Sequence, residues 1–161
     1  ELTGPRSEAT KTEFGGMQDP SEPMSIDLDY RCPGYAIQVE NSWLIPSPFG
    51  STRRLTATRD RIQHCKGQPV DVMAMRGQED TRFELTLPAG VTLAKPRVFH
   101  QTNSTGSFRA TLSQQGNKLV AQLLVEFQAT RLQKNQTEEL AQLLTSLEAT
   151  LNKPLLLQVR H

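Results

Sequence analysis

A thiol acts as a nucleophile only where a base or cation holds it as thiolate, and Cys65 is flanked by His64 and Lys66. Side chains of neighbours in an extended segment point to opposite faces, so this adjacency separates thiol from imidazole. Cys65 therefore reads as a loop cysteine in a basic stretch. Cys32 is the only other cysteine. The two form either one bridge in an oxidising compartment or two unrelated thiols. His64, His100 and His161 fit no HxH or HExxH frame, so any metal site would need tertiary proximity, and no cofactor or metal is expected. The carboxylate pairs Asp27/Asp29 and Glu79/Asp80 stand beside turns, where acids cap or solvate. A hydrolytic pair is the weaker reading of them.

Residues 53–109 carry ten basic and five acidic side chains, with Trp43 just upstream. Trp43, Phe49, Arg53 and Arg54 form the one neighbourhood with the chemistry of a glycan or peptide site, a ring to stack on and cations beside it. Aromatics are not interleaved among the arginines, so a solvated sheet face is the competing reading. Asn103-Ser104-Thr105 and Asn135-Gln136-Thr137 match glycosylation acceptors by pattern, a frequent chance match. No phosphate loop, nucleophile elbow or nucleotide fingerprint is present. A formal charge of +1 gives no electrostatic argument for nucleic acid. The longest uninterrupted apolar runs, Pro154 to Leu157 among them, span four residues, far short of a membrane span. The chain opens at Glu1 without a charged-then-apolar leader, as expected of a processed product or a segment of something longer.

The positioning elements follow from periodicity. Residues 1–24 carry Pro, Gly and scattered acids with no sustained period, and read as a linker or loosely packed arm. Residues 25–161 read as one β-rich domain. Ile26, Leu28 and Tyr30 alternate, Arg31 to Gly34 turns, and Tyr35, Ile37 and Val39 alternate again, predicting a hairpin. Arg53 to Arg59 is a basic strand candidate at an edge, with Leu55 and Ala57 inward. Val70 to Met75 and Phe83 to Leu87 are expected to pair with each other. Phe108, Ala110 and Leu112, then Gln114 to Asn117, then Leu119, Ala121, Leu123, Val125 and Phe127 predict the longest hairpin.

After Thr130 the period changes. Leu140, Leu143, Leu144, Leu147 and Leu151 lie on one stripe of an amphipathic helix near 136–152, with Asn135 or Thr137 as its cap. Leu155 to Val159 then closes the chain as a short strand. The expected fold is an antiparallel β-sandwich with one C-terminal helix.

From about Asp27 onward the order and spacing of these features resemble the C-terminal domain of unknown function that follows a transglutaminase-like domain in bacterial multidomain proteins. The residues that carry the resemblance are Tyr30 and Tyr35 in a strand pair, Arg61 to Pro69, and Leu87-Pro88-Ala89-Gly90-Val91. Gly106-Ser107-Phe108, the helix and the closing strand follow in the same order. The resemblance implies a non-catalytic β-sandwich accessory domain outside the cytoplasm, partnered by the upstream domain. That domain would supply a Cys, His and Asp triad, and neither Cys32 nor Cys65 matches its nucleophile region. The alternatives are a free-standing extracytoplasmic glycan- or peptide-binding domain, an enzyme built on Cys65 or the acidic turns, and an adhesive domain.

Overall fold

The computed structural model describes residues 8–16, 24–32, 34–49, 53–65, 70–72, 76–128 and 131–159. In chain order the elements are β1 (Glu8–Gly15), β2 (Ser25–Arg31), β3 (Ile37–Val39), β4 (Ser42–Ile45), α1 (Arg53–His64), β5 (Val70–Asp71) and β6 (Gly77–Thr86). They continue with β7 (Val91–Leu93), β8 (Arg97–Asn103), β9 (Gly106–Gln115), β10 (Lys118–Phe127), β11 (Arg131–Leu132), α2 (Lys134–Leu151) and β12 (Leu155–Val159). Two units are distinguished, Glu1–Tyr35 and Ala36–His161.

In the first unit β1 and β2 pair antiparallel, with Phe14 opposite Ile26 and Thr12 opposite Leu28. β1 falls inside the stretch expected to be a linker, and its side chains from Glu8 to Phe14 are exposed. Hydrophobic periodicity could not reveal it because Phe14 is its only large apolar residue. Alternating Thr10 and Thr12, good strand formers, supply the propensity, and Lys11 pairs with Glu13 at 2.9 Å. The turn at Cys32 forms, with the Tyr35 N–H donating to the Cys32 carbonyl at 3.3 Å and Gly34 at φ 76°. The hairpin expected across it does not, since β2 pairs with β1 and β3 with β4.

The second unit is mainly β, with antiparallel pairing in each of its sheets. One four-stranded sheet has the order β6-β10-β9-β8. Its central hairpin is the one expected, with Phe108 opposite Val125, Ala110 opposite Leu123 and Leu112 opposite Ala121. These six side chains are buried. The other sheet has the order β3-β4-β12-β7. One of its faces carries buried Ile45, Leu155 and Leu157, while Ile37, Leu44 and Leu156 form a cross-strand row on the opposite face, with Ile37 and Leu156 exposed. Gln114 stitches β9 to β7, its Oε1 accepting from the Leu93 N–H at 2.7 Å.

The leucine stripe of α2 is buried as predicted and works in two directions. Leu143, Leu147 and Leu151 pack on Phe108, Ala110, Leu123 and Val125 of the sheet. Leu140 and Leu144 join Ile62, Val72 and Leu132. Each fully buried leucine contributes about 1.5–3 kcal/mol. The helix starts two residues earlier than expected, within the usual spread of helix ends. Gln133, not Asn135 or Thr137, is its N-cap residue. The Gln133 N–H donates to Gln136 Oε1 at 3.0 Å, and the Thr137 hydroxyl donates to the Gln133 carbonyl at 3.1 Å.

Two further expectations are corrected. Arg53 to Arg59 is not an edge strand but the start of α1. Leu55 and Ile62, seven residues apart, share a helical face, and between them Arg59 reaches the Glu148 carboxylate of α2. Thr56 Oγ1 donates to the same carboxylate at 2.6 Å. The second correction concerns β5, which pairs with β11 rather than β6. A two-residue stub cannot match the ten residues of β6, which takes β10 along its whole length. Residues 73–75 of that expected strand lie outside the described residues.

Candidate functional site

Because β8 runs antiparallel to β9, Arg97 stands opposite Leu112 and Phe99 opposite Ala110, all four on one sheet face. Among the described residues β8 is the last strand of its sheet. The C-terminal end of α2 and the turn after β4 close around that face. The result is a cavity of about 20 Å³ between Arg97, Phe99, Ala110 and Leu112 of the sheet, Thr150 and Lys153 from the helix end, Leu155 of β12, and Ser47 and Phe49. That is room for about one water-sized or methyl-sized group.

The wall of this cavity is almost wholly apolar, although several of the residues that line it carry polar groups. Lys153 Nζ lies 4.8 Å from the centre of the Phe99 ring, a cation–π contact. Its backbone N–H donates to the Thr150 carbonyl at 3.4 Å, just past the end of a helix with no basic residue in its last turn. The Ser47 hydroxyl oxygen accepts from the Phe49 N–H at 3.5 Å, leaving its own proton to donate. The Thr150 hydroxyl donates to the Ser146 carbonyl at 2.8 Å. Arg97 has no ion-pair partner among the described residues, and no carboxylate is among the described residues that line the cavity.

Of the neighbourhood proposed from sequence, Phe49 reaches this cavity and packs on the Phe108 cluster. Trp43 does not line it. The register puts Trp43 opposite Leu157, which is fully buried, so the half-buried indole belongs to the packed face of its sheet. Its Nε1 is buried without a hydrogen-bond partner among the described residues. Arg53 and Arg54 begin α1, and their side chains lie outside the described residues. Arg97, Phe99 and Lys153 were missed. The i, i+2 spacing of Arg97 and Phe99 would have set them on one face, but the groups completing the site come from residues 47–49 and 150–155.

The candidate catalytic groups are placed apart in function. Cys65 packs partly buried on the Ile62 cluster, whereas His64 is exposed with Nδ1 2.6 Å from the Asp60 carbonyl oxygen. Cys32 and Cys65 are free thiols. His100 Nε2 lies 3.2 Å from Thr102 Oγ1, and His161 and Lys66 lie outside the described residues. No group of His, Cys, Asp or Glu able to hold a metal occurs among the described residues. Asp27 stands opposite Glu13 and Asp29 opposite Lys11 on an exposed hairpin. Asp80 accepts from Gln122 Nε2 at 3.0 Å, and Glu79 accepts from the Thr81 hydroxyl at 3.4 Å. The Asn103 amide is used structurally, Nδ2 donating to the Glu139 carbonyl at 2.8 Å while Ser104 Oγ donates to the Glu139 carboxylate at 2.6 Å. Asn135 is exposed in the first turn of α2. Among the described residues no helix is long and apolar enough to cross a membrane.

No curated protein matches the chain significantly. A solved structure described as a "putative protease" from Parabacteroides distasonis is similar at 16% sequence identity and a TM-score of 0.46, over 51% of this chain and 16% of that one. A protein family, a domain of unknown function with a solved structure, matches residues 45–157, more than two thirds of the chain and inclusive of every residue that lines the cavity. The chain belongs to that family, DUF3858.

Proposed function

We propose that this chain is a non-catalytic accessory domain of a larger transglutaminase- or cysteine-protease-like protein, working outside the bacterial cytoplasm, where it recognises or positions a partner. The observation that carries the recognition role is the cavity at the end of α2. Phe49 and Phe99, with Arg97 and Lys153 among the lining residues, surround an almost wholly apolar space, with no thiol, imidazole or carboxylate among the described lining residues. Such a set suits the binding of an apolar group better than acid–base chemistry. The upstream catalytic partner and the compartment rest on the resemblance of residues 27–161 to domains in that position.

The test is to read the coding frame upstream of Glu1 and to assay the purified chain. A domain carrying Cys, His and Asp upstream, together with iodoacetamide reacting at ordinary thiol rates with Cys32 and Cys65, supports the accessory reading. A start codon or signal peptide directly upstream overturns it and leaves a free-standing extracytoplasmic binding domain. A fast-reacting Cys65 thiol overturns the non-catalytic reading.

A further inference from the structure

Resting on the reading of this chain as part of a larger protein, we infer that the β1–β2 hairpin is a docking element whose apolar face is covered by a neighbouring folded domain of the same polypeptide. The hairpin's register sorts its side chains by polarity. Phe14 opposite Ile26 and Thr12 opposite Leu28 share one face, whereas Glu13 opposite Asp27 and Lys11 opposite Asp29 share the other. That segregation is the pattern of a sheet with one face in water and one face buried. Yet Phe14, Ile26 and Leu28, with Met24 just before β2, are between 45% and 70% exposed.

A lone two-stranded hairpin is at best marginally stable in water, and this one carries a like-charge pair, Glu13 with Asp27, directly across its strands. Its stability therefore requires cover on the apolar face, and the size of that face selects what covers it. The four exposed side chains offer on the order of 400 Å². A stable complex of free proteins buries roughly 800 Å² per partner, so a second copy meeting the hairpin there would hold too little area. Two domains of one chain bury only about 600–1,500 Å² in total, half of it on each side, and the hairpin falls within that range. Less area suffices there because the tether supplies an effective concentration of order millimolar. The surface that fits is an apolar sheet or helix face on the neighbouring domain, with Glu13, Asp27 and Asp29 left in water on the other side.

The experiment is hydrogen exchange read by mass spectrometry on two proteins, this 161-residue chain alone and the polypeptide expressed from the complete coding frame. In the chain alone, the amides of residues 8–15 and 25–31 should exchange within about tenfold of unstructured rates. In the complete polypeptide they should slow at least about a hundredfold, a small part of what burying that area is worth. There, Phe14→Ser combined with Ile26→Ser should restore fast exchange in the hairpin while β9 and β10 stay slow. Asp27→Asn, on the opposite face, should leave the protection in place, and its loss would put the contact on the charged face and overturn the inference. Equal exchange in the two proteins overturns it as well, as does protection in the chain alone that rises with its concentration, the mark of a second copy. A complete frame without a neighbouring domain removes the accessory reading together with this one. Unchanged exchange in a polypeptide that carries such a domain removes this one alone.

Discussion

Gly106 opens β9 directly opposite Phe127 at the end of β10, and a methyl group there would overlap the Glu126 carbonyl oxygen. The obstacle is backbone, which cannot swing aside as a long side chain would. Gly106→Ala should therefore destabilise the protein by about 1–3 kcal/mol, the usual cost of overpacking. An unchanged midpoint in urea denaturation would show that the two strands do not approach so closely. Glu84 poses a different question, because its carboxylate accepts from Lys118 at 2.9 Å and from Arg82 at 2.7 Å. Hydrogen bonds from Lys118 and then Arg82 hold its pKa below the ordinary 4.5. A depressed folded-state value means the charged form is favoured on folding, so the stabilisation is full above 4.5 and disappears as pH falls through the depressed value. Glu84→Gln should thus narrow its stability gap to the wild type on acidification. The carboxylate lies on the surface, so the effect should be small and should shrink in high salt. Thermal melts of both proteins across that range check it, and parallel curves at low salt would exclude the linkage.

The helix α1 depends on a contact that its own sequence does not announce. Arg59 bonds to Glu148 across 89 positions of chain, and both side chains are mostly shielded from water. Removing one partner leaves the other charge partly buried, so Glu148→Ala should cost about 1–3 kcal/mol and loosen α1 ahead of the sheet. Hydrogen exchange resolves the two: faster exchange in residues 53–64 with β9 and β10 unchanged is the expected pattern. Uniform acceleration would mean that α1 unfolds only with the whole unit. The same contact explains what could be read from sequence at this scale. α2 and the β9–β10 hairpin were legible because each carries a dense apolar period, five leucines in one case and, in the other, three alternating residues on β9 and five on β10. α1 has only Leu55 and Ile62 on its stripe, and its alternating Thr56, Ala57 and Thr58 mimic a strand. β1 had too little apolar content to register, and the short strands could be placed but not paired, since alternation marks a face and does not select a neighbour.

At the scale of the molecule, the connection least visible in sequence is the closing strand. β12 enters between β4 and β7 instead of adding to an edge, so the end of the chain completes a sheet begun more than a hundred residues earlier. Such closure is non-local, and local reading stops at hairpins. The cavity shares this property, since its walls come from residues 47–49, 97–112 and 150–155 and meet only after β12 is in place. The family match begins at Ile45, the last residue of β4, and ends at Leu157. A chain cut to residues 45–157 would lack β3, the rest of β4 and the last two residues of β12, with the pairs Gln158 to Thr92 and Val159 to Val91 on β7. β12 would lose the pairs Leu156 with Leu44, Leu157 with Trp43 and Gln158 with Ser42, and Leu157, otherwise fully buried, would be uncovered on that side. Residues 36–161 keep the sheet whole. The trimmed chain should therefore be less stable by at least about 1.5–3 kcal/mol, the value of one buried leucine, and its denaturation should broaden as the sheet frays. Guanidinium titration of the two segments side by side decides it. A lower midpoint for 45–157 makes the strand residues outside the family span, those of β3, most of β4 and the end of β12, integral to the folding unit, and coincident curves would make the family span self-sufficient.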